Sequence, residues 1–151
     1  MADENIIVHV THEAAGKIGG IGAVLQGFFT CPSYLEVVGR SILVSPLFTT
    51  EGSIADRLGE GGEVLYSSID DLINPGYSSA FRKIESCYNV GIVYGRRTFR
   101  DEQTGIRSSP EVVLIDVRYM DMGMLNEFKR RLFEEFGIQS HLYEQLWEYE
   151  Q

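Results

Sequence analysis

Short apolar runs and one helical repeat alternate along the first third of the chain. Residues 6–11 are almost continuously apolar, which is typical of a strand buried on both faces of a parallel sheet. A glycine-rich stretch follows, and the apolar positions after it have the spacing of one helix face: Ile21, Val24, Leu25, Phe28 and Phe29. Residues 41–47 form a second apolar run, so this order predicts a strand, helix, strand unit.

The rest of the pattern predicts three more strands and four helical segments. They are a helical turn at residues 54–58, a short strand at 64–66, a helix capped by Ser78 or Ser79, strands at 90–99 and 111–117, a helix from 123 to 136 that ends at Gly137, and a last helix from about 140. The last two strands flank a polar turn and are predicted to pair as a hairpin. We therefore predict one α/β domain over residues 1–151, with a Rossmann-like, mostly parallel sheet flanked by helices.

Composition and charge exclude several classes of protein. The formal net charge is −9, whereas broad nucleic-acid binding needs a basic surface, so no nucleic-acid partner is expected. No apolar run approaches about 20 residues, so no membrane partner is expected either. Cys31 and Cys87 lie far apart without metal-ligand spacing, and the acidic N-terminus lacks a signal-peptide pattern. These features favour a reducing, cytoplasmic location.

The glycine-rich stretch holds the strongest chemical signal. Lys17 precedes Gly19, Gly20 and Gly22 where the first predicted strand is followed by a helix. Such a turn presents backbone N–H groups without helical acceptors, glycine permits close approach of a ligand, and lysine adds positive charge. The stretch predicts a phosphate site, although it matches neither a Walker loop nor the dinucleotide fingerprint. A tight turn with a solvated lysine is the alternative.

Residues 12–22, HEAAGKIGGIG, resemble the start of glycogen and starch synthases. In that family a lysine and a Gly-Gly pair follow the first strand and face the sugar nucleotide, which implies nucleotide-sugar binding by Lys17, Gly19, Gly20 and Gly22. The run KIGGI is closer to the animal and fungal branch, which uses UDP-glucose. Gly22 is closer to the bacterial branch, which uses ADP-glucose, so the resemblance leaves the donor open.

Three further stretches carry the same resemblance. Residues 46–48, PLF, are similar to the Pro-x-Phe that ends a strand in the family. Residues 92–96, IVYGR, and 110–116, PEVVLID, are similar to its Tyr-Gly-Arg and Pro-x-Val-x-Leu-Phe-Asp strands. Residues 133–138, FEEFGI, are similar to its Leu-Trp-x-x-x-Gly-Ile stretch. The resemblance therefore extends over nearly the whole chain.

The resemblance implies the N-terminal lobe of a two-lobed GT-B glycosyltransferase. Such an enzyme transfers glucose from a nucleotide sugar to an α-1,4-glucan with retention, without a cofactor or a bound metal. The implied partners are UDP-glucose or ADP-glucose, the glucan acceptor and the C-terminal lobe of the same enzyme. His9, His12 and His141 do not lie in the family's catalytic histidine motif. No catalytic residue is therefore assigned to this chain, which is expected to be inactive alone.

Two hypotheses for the whole protein stay open. The last predicted helix has no glycine, proline or basic final turn, which predicts a chain that continues past Gln151 into a second lobe. The competing hypothesis is a stand-alone glucan-binding, nucleotide-binding or regulatory module that kept this lobe without catalysis. The sequence does not determine the acceptor, the regulation or the oligomeric state, and a homo-oligomer is compatible with it.

Several polar positions are further candidates for the site. His12 and Glu13 end the first predicted strand, where open α/β sheets bind ligands, so both are candidates for lining the site. The pair Arg96–Arg97 suits either a phosphate clamp or a charged strand face.

Three other clusters have structural interpretations. The adjacent carboxylates at 70–71 and 134–135 are interpreted as solvated surface pairs, because residues one apart on a helix do not face one another. The methionines at 120, 122 and 124 are interpreted as core residues. No metal site is predicted.

Overall fold

The computed structural model describes residues 5–16 and 19–143. Its strands are β1 (Ile6–Val10), β2 (Arg40–Pro46), β3 (Gly62–Ser67), β4 (Gly91–Arg97), β5 (Phe99–Arg100), β6 (Arg107–Ser108) and β7 (Glu111–Asp116). Its α-helices are α1 (Gly20–Phe29), α2 (Pro32–Val37), α3 (Pro75–Tyr88) and α4 (Met122–Phe136). Short 3-10 turns occur at Ile54–Asp56 and Ser140–Tyr143, and the end of the predicted last helix lies outside the described residues.

Five strands form one sheet in the order β1–β2–β7–β4–β3, and β5 pairs with β6 in a separate ribbon. β1, β2 and β7 pair in parallel, β4 is antiparallel to β7, and β3 is antiparallel to β4. Four of the five strands therefore point the same way. The α/β class, the β1–α1–β2 unit and the predicted hairpin pairing, which joins β4 to β7, are confirmed.

The first face of the sheet carries the larger core. Helix α1 places Leu25 and Phe29 in one cluster with Leu43, Val112 and Leu114 of the sheet, and all five are nearly inaccessible to solvent. Leu25 and Phe29 are four residues apart and so lie on one side of the helix. This packing fixes α1 against β2 and β7.

Helix α3 covers the second face with aromatic side chains. The ring of Phe81 lies 5.0 Å from that of Tyr66 on β3 and 5.2 Å from that of Tyr94 on β4. Tyr77 adds a contact at 4.9 Å to Tyr94. Buried aromatic pairs at this spacing dominate the energetics of a small core.

The start of α3 corrects the predicted cap at Ser78 or Ser79. The side chain of Asn74 caps the helix by accepting from the N–H of Gly76 at 3.0 Å. Pro75 occupies the first helical position, where its fixed φ and missing N–H are compatible with a helix. The cap, and with it the start of the helix, therefore lies four or five residues earlier than the serines indicated.

Helix α4 has the predicted end but not a packed apolar face. Gly137 follows it with φ at 68°, the left-handed conformation predicted for that position. No residue of α4 is buried, and Phe128 and Phe136 are 58% and 69% exposed. Met122 and Met124 are also exposed, so the interpretation of these methionines as core residues is wrong.

The structure also corrects the prediction that β1 is buried on both faces. Among the strands of the described residues, β1 lies at the edge of the sheet and pairs with β2 alone. Its side chains Ile6, Val8 and Val10 are 54%, 54% and 80% exposed. A continuous apolar run indicates that burial of both faces would stabilise the strand. The run does not determine which segments of the chain pack against that strand.

Three residues of the predicted α1 face are likewise exposed: Ile21, Val24 and Phe28.

Within residues 5–16 and 19–143, no helix has both the length and the apolar composition that crossing a bilayer requires.

Candidate functional site

A cavity opens at the carboxyl ends of β1 and β2, on the side of the sheet where the sequence predicts the site. Its volume is about 270 Å³, and His12, Ser45, Phe48 and Arg57 contribute to its wall. The exposed ring of His12 lies 6.0 Å from the ring of Phe48. His12 therefore lines this cavity.

Glu13 does not point into the cavity but binds the glycine turn. One carboxylate oxygen, Oε2, accepts from the N–H of Gly19 at 2.9 Å and from the N–H of Gly22 at 2.7 Å. Only 8% of Glu13 is exposed. The structure thus brings three predicted site residues together, with Glu13 as a ligand of the turn.

The remaining donors of the turn belong to the exposed residues Gly20 and Ile21. Gly19 precedes α1 and has no side chain with which to cap it, and the first helical bond runs from the N–H of Ala23 to the carbonyl oxygen of Gly19. The N–H groups of Gly20 and Ile21 therefore have no acceptor within the helix, and both residues are exposed. Lys17 lies outside the described residues.

Arg97 holds the loop between β1 and the turn. Its Nη1 donates to the carbonyl oxygens of Ala14 at 2.9 Å and Glu13 at 3.3 Å, and its guanidinium lies over the ring of Phe99 at 4.8 Å. Burial lowers the pKa of the Arg97 guanidinium. These contacts of Arg97 are internal to the fold, whereas Arg96 is exposed on its strand.

Arg57, which lines the cavity, belongs to an ion pair that the sequence did not indicate. Arg57 donates two hydrogen bonds to Asp70, at 2.8 Å and 3.1 Å, and the hydroxyl of Ser67 donates to the same carboxylate at 2.6 Å. The hydrogen bonds from Arg57 have the largest effect on the Asp70 carboxylate, and together with the bond from Ser67 they lower its pKa. The hydrogen bond to Asp70 in turn raises the pKa of the Arg57 guanidinium. The interpretation of Asp70 as a solvated surface residue is therefore wrong.

Asp116 is a second buried carboxylate at this edge of the sheet. It ends β7, is 3% exposed, and accepts from Arg118 Nη2 at 2.7 Å and Nε at 2.9 Å. The hydrogen bonds from Arg118 lower the pKa of Asp116. The position of Asp116 at the end of the most apolar strand was a signal in the sequence that this residue lies near the site. The sequence carried no such signal for Arg57, which lies within a polar loop.

The other predicted clusters are surface or structural features. Glu134 is exposed and pairs with Arg130 on α4, and Glu135 is exposed, which confirms the solvated interpretation of that pair. The ring Nε2 of His9 lies 2.8 Å from the hydroxyl of Tyr34, and burial lowers the pKa of His9. In the described part of the chain, no three His, Cys, Asp or Glu side chains are placed to hold a metal ion.

The chain matches no family model, no curated protein and no solved structure.

Proposed function

We propose that this chain is the N-terminal lobe of a glycosyltransferase similar to glycogen and starch synthases, and that its glycine turn binds the diphosphate of a nucleotide sugar. The strand, turn and helix from β1 to α1 carry the proposal. Gly20 and Ile21 are exposed residues whose first-turn N–H groups have no acceptor within the helix, and they lie in the motif that resembles this family. The cavity lined by His12 adjoins the end of the same strand.

The role of the turn in this proposal is electrostatic. Negative charge grows on the diphosphate as its bond to glucose breaks. Backbone donors that are already oriented stabilise that charge without reorganising, and Lys17 would add a positive charge. UDP-glucose and ADP-glucose share this diphosphate, so the turn itself does not distinguish them.

The competing hypothesis, a nucleotide-binding or glucan-binding module without catalysis, is favoured by one observation. The charged groups beside the turn have structural partners: Arg57 with Asp70, Glu13 with the glycine N–H groups, and Arg97 with loop carbonyls. Such paired groups are not available for acid–base chemistry. The two hypotheses differ in the activity they expect. A chain that includes a second lobe should transfer glucose if the enzyme hypothesis is correct, and should not transfer glucose if the protein is a binding module.

Calorimetric titration of the 151-residue chain with UDP-glucose and ADP-glucose tests the proposal. We expect binding weaker than a dissociation constant of about 1 μM, since one lobe supplies phosphate donors but only part of the site. Lys17→Ala should weaken binding by about tenfold, the loss of one charge-assisted contact. Lys83→Ala, which removes an exposed lysine on α3, should leave it unchanged. Absence of binding, or normal binding by Lys17→Ala, would contradict the proposal.

A further inference from the structure

The N-terminus of α1 has an unusual cap. Four N–H groups precede the first helical hydrogen bond, those of Gly19, Gly20, Ile21 and Gly22. A capping box would satisfy the first and last of these with local side chains, but glycine stands at both positions. Glu13, six residues upstream of the cap, accepts from both instead. The chain's own carboxylate thus occupies half of this anion-binding position.

The backbone of Glu13 is fixed independently of its side chain. Arg97 binds the carbonyl oxygens of residues 13 and 14, and Ala14 is fully buried in the larger core. The carbonyl oxygen of Ala15 lies so close to Gly59 that a Cβ there would be 2.1 Å from it. Glu13 therefore cannot shift freely, and its carboxylate is held at the turn without a ligand.

We infer that Glu13 is a positioning residue of the turn. Its carboxylate holds the N–H groups of Gly19 and Gly22 and so restricts a bound phosphate to the N–H groups of Gly20 and Ile21. This inference rests on the proposed function. Two donors, at Gly20 and Ile21, would then bind the ligand, and two, at Gly19 and Gly22, bind the chain's own carboxylate. The glycine motif alone does not distinguish these two pairs.

The arrangement has an electrostatic consequence. A phosphate bound by the N–H groups of Gly20 and Ile21 would lie within a few ångströms of the Glu13 carboxylate, because Glu13 binds the N–H groups on either side of them. Like charges at that separation repel. Glu13→Gln keeps an oxygen that accepts from Gly19 and Gly22 but removes the charge. Diphosphate should therefore bind the Gln variant about 3- to 10-fold more tightly than it binds the wild type. A residue with only a structural role would not strengthen binding when replaced.

The test is an NMR titration of backbone amides with inorganic diphosphate. In the wild type, the amide signals of Gly20 and Ile21 should shift while those of Gly19 and Gly22 stay nearly constant. The Glu13→Gln variant should show the same pattern with the tighter dissociation constant. Glu135→Gln makes the same charge change at an exposed site on α4 and should leave the constant unchanged.

Two outcomes would overturn the inference: shifts at Gly19 and Gly22 as large as those at Gly20, or unchanged or weaker binding by Glu13→Gln. The wild-type titration decides the first point even if a variant does not fold. If no amide of the wild type responds, the proposed function fails at the turn. Hydrogen exchange then tests Glu13 separately: exchange at Gly22 at least about tenfold faster in Glu13→Ala supports its holding role, and unchanged exchange refutes it.

Discussion

Arg57 and Asp70 form an ion pair that is almost enclosed, with side chains 5% and 14% exposed. Arg57 also donates to the carbonyl oxygens of Thr50 at 2.8 Å and Glu51 at 2.7 Å. The pair therefore ties the loop after β2 to the turn after β3. Removing one partner leaves the other as an uncompensated buried charge, which costs more than the pair itself contributes.

We predict that Asp70→Asn lowers the free energy of unfolding by about 3 kcal/mol, measured by urea denaturation at neutral pH. Asp71→Asn is the matched control, because it makes the same change at the exposed neighbour. Asp71 has a positive φ of 56°, which asparagine tolerates. Equal stability of the two variants would show that the ion pair contributes little.

The same pair predicts a dependence on pH. Arg57 holds the pKa of Asp70 below its ordinary value, so the folded state favours the ionised carboxylate. This contribution is complete above the unfolded pKa of about 3.9 and is lost as pH falls through the folded pKa. The stability difference between wild type and Asp70→Asn should shrink as denaturation is repeated below about pH 4. A constant difference down to acid denaturation would contradict this.

At the scale of elements, the loop between β1 and α1 depends on a close backbone contact. Gly59 has φ at +72°, and a Cβ there would lie 2.1 Å from the carbonyl oxygen of Ala15. The loop that carries Glu13 is therefore packed against the turn before β3. Any side chain at position 59 must displace one of these two segments.

We predict that Gly59→Ala lowers the free energy of unfolding by about 2 kcal/mol more than Gly137→Ala does. Both glycines have nearly the same positive φ, +72° and +68°, so the backbone strain of alanine, about 1–2 kcal/mol, is common to both. Nothing lies within 4 Å of a Cβ at Gly137, so the difference measures the clash at Gly59. Thermal or urea denaturation gives both values, and equal losses would show that the loop yields without cost.

Local signals in the sequence predicted which elements form, but not how they are covered. The glycine turn, the apolar runs and Gly137 act over a few residues, and they place β1, α1, β2 and the end of α4 correctly. The contact of Arg97 with Ala14 joins residues 83 apart in the chain, and that of Arg57 with Asp70 joins residues 13 apart. Periodicity carries no information on such pairs, so these parts of the site were missed.

At the scale of the whole molecule, one side of the sheet is incompletely covered. The edge strand β1 exposes Ile6, Val8 and Val10, and no other described strand pairs with its outer backbone edge. Residues 6–10 carry no lysine or glutamate, the charges that usually protect edge strands. Helix α4 exposes a separate group of aromatic side chains, including Phe133 and Phe136. Contiguous apolar surfaces of this kind promote association.

We predict that the chain associates reversibly as its concentration rises, and that Val8→Lys reduces this association. A lysine in the middle of an edge strand opposes pairing with another strand. Sedimentation velocity over a range of concentrations measures the effect. Phe136→Lys is the control, since it places the same charge on the exposed face of α4. If only the control reduces association, the helix and not the strand edge is responsible.

The strand order also affects how the chain can fold during synthesis. β7 joins the two halves of the sheet, and it is the last of the five strands to be made. Its partner β2 precedes it by about 70 residues, as in the register of Ile42 with Glu111. At translation rates of about 5–20 residues per second, β7 is synthesised roughly 4–14 s after β2. Until then, β1 and β2 have no strand that connects them to β4 and β3. During that interval the apolar N-terminal segment lacks its central partner and exposes surface of the kind that chaperones bind.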